Sequence, residues 1–433
     1  MIKKLLEKYK NNQRFRQAMA LSGVNVIGIP LSIISSMILT RFLGSTGYGD
    51  YKFLFNIFSF SVVIFSFGFF QAGNRALVLN NDPQKGKEYY GSELVILGIL
   101  SIIMGIFLVA YTFFDHNIYD KGLRNILIFL IPFSWVFLIV NFFEVLFQAD
   151  NKIRLLVQSR LYPRLGGFIS ILIIYFIFFK YPGNKLIVFF IFFLISQISV
   201  FIYIIYKINP SFKNLKIRIK EILAFNKSYG LNVYIGSLSA VGFSQLTGIL
   251  ISYFAKDNSG VGYYSLASTI AVPLSFIPNV IATTHYKDFS TISSIPRKLM
   301  VITIIISCFA LIGTLLLVSP FIKLFYKPEF FPVITLTYLV SFGAILSGFA
   351  DFLNRFLGSH GKGKALRNSA FLVGFTTMLL NFLLIPSYGA SGAAYTTLFS
   401  GMVYIICMYL YYRKLVINLK SLGKKSASIE LHN

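Results

Sequence analysis

Long apolar segments are the feature that most limits what this chain can fold into. Twelve of them are about 20 residues long, the length that an α-helix needs to cross a bilayer with its backbone polar groups satisfied internally. Their predicted limits are 18–40, 52–73, 92–114, 126–148, 160–179, 186–206, 229–253, 263–284, 298–319, 331–354, 366–386 and 390–412. Of the 433 residues, 56% are hydrophobic and 13% are charged, which is outside the range of soluble domains. We therefore predict an all-α, polytopic membrane protein with about 12 transmembrane helices.

A short glycine and tyrosine pattern indicates that the chain is an internal repeat. Gly-x-Gly-x-Tyr occurs at 47–51 and again at 260–264, an offset of 213 residues, and apolar segments flank both copies. Because this offset covers an even number of crossings, six, both halves enter the membrane from the same side. We predict two parallel six-helix lobes around a central cavity. The stretch 40–51 is predicted to be a tight outer turn made by its glycines.

The distribution of basic residues predicts the orientation. If the N-terminus is cytoplasmic, the inner segments contain 31 of the 40 lysines and arginines, so both termini are predicted to be cytoplasmic. The net charge of +25 does not indicate a nucleic-acid partner, because the aromatic residues lie in the apolar segments and not beside the basic ones. The predicted domains are an N-terminal lobe, a cytoplasmic linker, a C-terminal lobe and a basic tail, at 1–206, 207–228, 229–412 and 413–433.

Two predicted spans contain small residues at four-residue spacing, which places each set on one helix face. The sets are Gly28, Ser32, Ser36 and Thr40 in the first span, and Gly236, Ala240, Ser244 and Gly248 in the seventh. Small residues allow membrane helices to pack closely. The same faces would also suit the lining of a hydrated cavity, and the sequence leaves both interpretations open.

Few ionisable side chains lie within or at the ends of the predicted spans. They are Arg41, Arg75, Glu93, Glu144, Asp351 and Arg355. A charge at the centre of a bilayer costs about 2.5–3.5 kcal/mol on insertion scales, so such a group usually faces a cavity or a partner. Asp351 and Arg355 are four residues apart, which fits a structural ion pair, or an Arg355 that contacts an anionic substrate beside an Asp351 that couples to a cation. Glu144 either reaches the interface or takes part in ion coupling.

Arg75 has a basic counterpart in the second half of the chain. The offset of 213 places it over Asp288, which lies beside Lys287 and His285. Both halves thus place a cation at the inner end of the same predicted helix. Ordinary positive-inside residues would give this pattern, and so would a site for a phosphate-bearing ligand, since arginine and lysine pair with phosphate oxygens.

Common enzyme motifs are absent from the sequence. It contains no P-loop, HExxH, CxxC or GxSxG pattern, so we predict no enzymatic activity, no ATP hydrolysis and no cofactor. The four histidines are scattered, and we predict no metal site. Both cysteines lie within apolar segments, so we predict no disulfide framework. Any transport work would depend on a gradient of H⁺, of Na⁺ or of the substrate.

Two stretches carry a family resemblance. ILTRFLGSTGYGDYKFLFNIFSF at 38–60 and LNFLLIPSYGASGAAYTT at 380–397 resemble the Wzx-type lipid-linked oligosaccharide flippases of the polysaccharide exporter family. That family belongs to the multidrug/oligosaccharidyl-lipid/polysaccharide (MOP) flippase superfamily. The resemblance implies a two-lobed transporter in the bacterial cytoplasmic membrane that moves undecaprenyl-pyrophosphate-linked repeat units outward by alternating access, for O-antigen or capsule synthesis.

The resemblance also implies roles for the candidate residues. Cationic cavities in the superfamily match a diphosphate, which makes Arg41, Arg75 and Arg355 the candidate contacts for the substrate head group. Asp351 and Glu144 are the candidates for coupling to H⁺ or Na⁺. Expected partners are the lipid-linked oligosaccharide, membrane lipids, and the glycan polymerase and chain-length machinery.

Two other functions remain open at this stage. An ion-coupled multidrug antiporter of the same superfamily would need acidic cavity residues for cationic drugs, and acids are scarce in these spans. A membrane glycan polymerase or ligase would need a sizeable outer loop with catalytic residues. The longest connection between predicted spans, 207–228, is on the inner side, so this third function is the least favoured.

Overall fold

The computed structural model describes residues 13–80, 82–150, 152–178, 183–238 and 242–430. All regular secondary structure in these ranges is helical, which confirms the predicted all-α class. The chain divides into two compact units, Met1–Leu238 and Ser239–Asn433. They are called unit 1 and unit 2 below.

Unit 1 consists of ten α-helices in its described residues. They are α1 (Gln13–Phe65), α2 (Phe69–Val78), α3 (Pro83–Phe114), α4 (His116–Asp120), α5 (Arg124–Leu130), α6 (Trp135–Ala149), α7 (Ile153–Phe178), α8 (Lys185–Ile208), α9 (Leu215–Phe225) and α10 (Leu231–Ser237). A 3₁₀ turn at Ile131–Phe133 joins α5 to α6 with a bend of 44°. The turn contains Pro132, which lacks the backbone N–H that a continuous helix would use.

The first hairpin of unit 1 turns at a single residue. Within α1, Gly44 has φ 73° and ψ −178°, whereas Gly47 and Gly49 lie in regular helix. Of the glycines in the predicted turn 40–51, Gly44 therefore forms the turn, because glycine adopts positive φ without a Cβ clash, and Gly47 and Gly49 do not. Gly47 instead permits close packing, since a Cβ there would lie 3.3 Å from Leu43 Cβ.

A network of charged side chains attaches α9 to α3. Arg218 donates from Nε to Glu88 at 2.8 Å and from Nη1 to both carboxylate oxygens of Glu221 at 2.7 Å. Tyr89 donates to Glu221 at 2.6 Å, and Asn214 donates to Glu88 at 3.0 Å. The Arg218 and Glu88 side chains are only 12% and 7% exposed. Loss of either partner would therefore leave a charge buried and unpaired.

The same network shifts the pKa of both ionised groups on α9. Hydrogen bonding to Glu221 raises the pKa of Arg218. Burial acts to raise the pKa of Glu221, but the hydrogen bonds from Tyr89 and Arg218 outweigh burial, and the pKa is lowered overall. Both groups therefore stay charged around neutral pH.

Unit 2 consists of seven α-helices in its described residues. They are α11 (Phe243–Phe254), α12 (Ser259–Ala271), α13 (Pro273–Thr284), α14 (Tyr286–Phe289), α15 (Arg297–Phe325), α16 (Pro332–Ser359) and α17 (Gly363–Glu430). The second Gly-x-Gly-x-Tyr copy lies inside α12, after the turn at 255–258, just as the first copy follows the turn at Gly44. Residues Phe289, Phe352 and Phe356 form the aromatic centre of one buried cluster.

The described helices account for the predicted spans. Eight are long and apolar enough to cross a membrane, or nine if the bent pair Arg124–Phe133 and Trp135–Gln148 is one span. Two of the eight, 40 and 57 residues long, are divided by residues with positive φ, Gly44 and Gly389, which brings the count to eleven. The shorter apolar helix α11 is a twelfth candidate. The chain is a multi-pass membrane protein.

Candidate functional site

The three predicted arginines lie on separate elements. Arg41 precedes the turn at Gly44, Arg75 is in the last turn of α2, and Arg355 is in α16 of unit 2; all three are exposed. Within unit 1, the helical segment from Gly44 to Phe65 separates Arg41 from α2. At 1.5 Å per residue this segment is about 30 Å long, so Arg41 and Arg75 do not form one cluster.

Glu144 of α6 forms an ion pair with Arg160 of α7. Arg160 Nε donates to Glu144 Oε2 at 2.8 Å, and its Nη2 donates to the other carboxylate oxygen. Gln148 also donates to Glu144 at 2.8 Å. The bidentate contact neutralises Glu144 and orients Arg160. The Arg160 and Glu144 side chains are 28% and 36% exposed, so the pair is only partly buried by the protein.

Arg164 lies one turn beyond Arg160 on the same face of α7. Its guanidinium lies against Gly28 of α1 and donates from Nη1 to the carbonyl oxygen of Val24 at 3.3 Å. A Cβ at residue 28 would collide with Nη1, so the glycine makes room for the guanidinium. Arg164 is about 16 Å along α7 from Ile153, in the N-terminal half of a helix that is long and apolar enough to cross a membrane.

Arg160, Arg164, Glu144 and Gly28 together are called the α7 arginine site. Its three charges sum to one net positive charge, since Glu144 offsets one arginine. Arg164 is exposed, and it takes part in none of the ion pairs among the described residues. A guanidinium has five N–H donors, of which the Val24 carbonyl uses one. The site can therefore bind an anion with two parallel acceptors, such as a phosphate.

This site was not predicted from the sequence, because Arg160 and Arg164 were counted as cations of an inner segment although both lie in the predicted fifth span, 160–179. The helix begins seven residues earlier, at Ile153, so residues counted as loop cations lie inside the membrane helix. The four-residue spacing of Arg160 and Arg164 was a signal of a shared helix face. Gly28, the first residue of the small-residue set on α1, was the second signal.

The first set of small residues serves helix packing at its inner end. Gly28 is buried under Arg164, and Ser32 donates to the Gly28 carbonyl oxygen at 2.8 Å. Ser36 and Thr40 are also buried and donate to carbonyl oxygens of their own helix. In the second set, a Cβ at Gly236 would have no neighbour within 4 Å, and Ala240 is outside the described residues.

Asp351 takes part in a hydrogen-bonded cluster between α16 and α17. Tyr404 donates to Asp351 Oδ1 at 2.9 Å, and Asn354 donates to the Tyr404 hydroxyl at 3.0 Å. Asp351 and Arg355 are not among the ion pairs of the described residues, so of the two interpretations of their spacing the structure does not support a direct structural pair.

A groove of about 600 Å³ in unit 1 differs chemically from the α7 arginine site. It lies between α3 and the bend at Pro132, and its lining is almost entirely apolar, with Trp135 at one side. It contains no charged residue, so it suits a hydrocarbon chain and not an anion.

The family model for "Polysaccharide biosynthesis protein" matches residues 15–293 of the chain. Among curated proteins, the chain is 26% identical over 361 residues to the capsular polysaccharide biosynthesis protein CapF of Staphylococcus aureus. That alignment covers 79% of this chain and 86% of CapF.

Two solved structures have the same fold. The lipid II flippase MurJ in an inward closed conformation superimposes with a TM-score of 0.67 at 13% identity, covering 92% of this chain and 90% of MurJ. An inward-facing MATE multidrug transporter of the MOP superfamily also gives 0.67, at 15% identity, covering 94% of this chain and 99% of that one. At these identities the similarity establishes the fold alone, and it confirms the predicted MOP-type architecture.

Proposed function

The chain belongs to the polysaccharide biosynthesis protein family, and from this membership we propose that it is a flippase for lipid-linked oligosaccharides. It would carry undecaprenyl-pyrophosphate-linked repeat units across the cytoplasmic membrane by alternating access. The exported units would supply a surface polysaccharide, either capsule or O-antigen. CapF, a capsular polysaccharide biosynthesis protein by name, supports the capsule branch of this proposal.

The observation that carries the proposal is Arg164 of the α7 arginine site. An exposed guanidinium in the N-terminal half of a membrane helix is costly unless water or an anion meets it there. A lipid-linked pyrophosphate is an anion that its lipid anchors in the membrane. Arg164 would bind one phosphate through two parallel N–H donors. If Glu144 is protonated or moves away, Arg160 would be free to make a second contact with the pyrophosphate.

The residues predicted from sequence keep defined roles in the proposal. Arg41 and Arg75 of unit 1 and Arg355 of unit 2 would contact the head group at different stages of the crossing. Asp351 and Glu144 would couple transport to H⁺ or Na⁺. Asp351 suits this role because its second carboxylate oxygen is not used by Tyr404.

The proposal includes a location and partners. Both termini would be in the cytoplasm, with the basic segments facing an anionic leaflet. The flipped units would pass to a glycan polymerase and to chain-length machinery at the outer face.

A deletion strain tests the proposed function. Lipid-linked repeat units should accumulate on the cytoplasmic leaflet and the surface glycan should disappear, with both restored by the wild-type gene. Complementation with Arg355→Ala, expressed at the wild-type level, should fail to restore the glycan. Normal surface glycan in the deletion strain would contradict the proposal.

A second candidate function is a multidrug antiporter of the same superfamily. The MATE transporter has the same TM-score as MurJ, and the acids Asp351 and Glu93 lie within membrane-spanning helices. This candidate predicts that deletion increases sensitivity to cationic drugs without altering the surface glycan. A glycan polymerase or ligase is less favoured, because the structural relatives are transporters and flippases.

A further inference from the structure

Glu93 of α3 is a buried carboxyl group without a partner. It lies about 15 Å along the helix from Pro83, and its exposed fraction is 0%. Neither Oε1 nor Oε2 has a hydrogen-bond partner, although buried polar groups in proteins are almost always paired. The group therefore needs a physical explanation.

The neighbour of Glu93 is Gly73 of α2. A Cβ at residue 73 would lie 2.6 Å from the Glu93 carboxyl carbon, so only glycine allows α2 to close over the carboxyl. α2 is a short helix with a break before it, where Phe67 and Gly68 have φ of 43° and 77°. This break separates α2 from α1, and α2 carries Arg75 two residues beyond Gly73.

No charge from the surrounding helices compensates Glu93. Elements that pack on α3 present the following titratable or charged groups with described side chains: Arg41, Tyr48, Asp50, Tyr51 and Lys52 of α1, Arg75 of α2, His116, Tyr119 and Asp120 of α4, Arg124 of α5, Glu144 of α6, and Lys216, Arg218, Lys220 and Glu221 of α9. None of them hydrogen bonds to Glu93. An unpaired carboxylate in such a place would cost many kcal/mol, so the closed α2–α3 interface holds the neutral acid.

We propose that Glu93 is a proton-binding site that links proton uptake to the position of α2 and therefore of Arg75. The carboxylate oxygen takes its proton from water when α2 is displaced, and the neutral acid then permits α2 to close. Loss of the proton to water requires the carboxylate to be hydrated, which means that α2 moves off α3. The inference rests on the proposed function, in which Arg75 contacts the substrate, and it names H⁺ as a coupling ion.

Infrared spectroscopy of the full chain in lipid vesicles tests the proton site without any glycan substrate. The wild type should show a carbonyl band of a protonated carboxyl group that declines as the pH is raised. Glu93→Gln, a neutral isostere, should lack this band, and Glu144→Gln should retain it. An unchanged band in Glu93→Gln, or a spectrum without a titrating band in the wild type, would overturn the proposal.

Thiol labelling tests the motion of α2. Ala76 is buried on α2 and lies three residues beyond Gly73, on the same helix face, so Ala76→Cys, in a chain whose free Cys308 and Cys407 are replaced by serine, reports exposure of this interface. At raised pH, a water-soluble maleimide should label this cysteine several-fold faster in the chain that retains Glu93 than in the chain with Glu93→Gln. Equal rates would overturn the link to α2. A titrating band in a protein that fails to flip lipid-linked glycans would refute the flippase and leave the proton site standing.

Discussion

Replacement of Arg164 by glutamine removes the charge of the α7 arginine site with little change in side-chain volume. Arg164 is an exposed guanidinium with one bond to the Val24 carbonyl, so most of its donors are available to a ligand. A charge-assisted hydrogen bond contributes about 1.5–3 kcal/mol. Loss of that contact should reduce transport at low substrate concentration by about 10- to 150-fold, since 1.4 kcal/mol corresponds to a factor of ten.

The assay is transport of a lipid-linked oligosaccharide into the outer leaflet of proteoliposomes, followed by a glycan probe that cannot cross the membrane. Arg154→Gln is the matched control, because Arg154 is an exposed arginine on the first turn of α7. Arg164→Lys keeps the charge but loses the planar fork, so an intermediate rate is expected. If Arg164→Gln transports as fast as Arg154→Gln, the assignment of the anion site to Arg164 is refuted.

The contact between Gly28 and Arg164 provides an independent check. Gly28→Ala should displace the guanidinium and slow transport, whereas Gly23→Ala, on the same helix with nothing within 4 Å of the added Cβ, should not. Because both substitutions act on one group, the double variant Gly28→Ala with Arg164→Gln should be no slower than Arg164→Gln alone. Additive effects would mean that Gly28 acts elsewhere.

Three further outcomes are expected from the charged and polar clusters. Arg218→Ala should leave the buried Glu88 carboxylate without its partner and destabilise the packing of α9 on α3 by about 3 kcal/mol. Hydrogen exchange in α9 should then be faster, and unchanged exchange would contradict this prediction. The pKa of Glu221 is lowered, so the stabilisation that this carboxylate provides is complete above its ordinary pKa of 4.5 and is lost as the pH falls through the lower folded pKa. Glu221→Gln should therefore lower the thermal unfolding temperature in detergent at neutral pH and leave it unchanged in acid. Tyr404→Phe removes the bond to Asp351 and should cost about 1 kcal/mol in the same unfolding assay, and no change would show that the bond is dispensable.

Features that depend on hydrophobic composition and on the length of the apolar segments were predictable from the sequence. A bilayer demands apolar segments of a given length, so the all-α class and the spans followed from composition and run length. The repeat offset of 213 also holds in the structure, where both Gly-x-Gly-x-Tyr copies follow a hairpin turn at the start of a helical segment.

Features that depend on where a helix begins or on what a side chain meets were not predictable. Arg160 and Arg164 lie in the predicted fifth span, 160–179, but they were counted as inner cations, because the sequence does not show that α7 already begins at Ile153. The spacing of Asp351 and Arg355 permitted an ion pair, but Tyr404, 53 residues away in sequence, takes the carboxylate. The turn was predicted within 40–51, but the sequence alone does not show that Gly44, and not Gly47 or Gly49, has positive φ.

Reconstituted transport with purified components tests the proposed flippase activity most directly. The full chain in vesicles should move an undecaprenyl-pyrophosphate-linked oligosaccharide between leaflets faster than protein-free vesicles do, and a proton gradient should change the rate. The same vesicles should not move the lipid without its pyrophosphate at a comparable rate. Transport equal to that of protein-free vesicles, with and without gradients, would contradict the account.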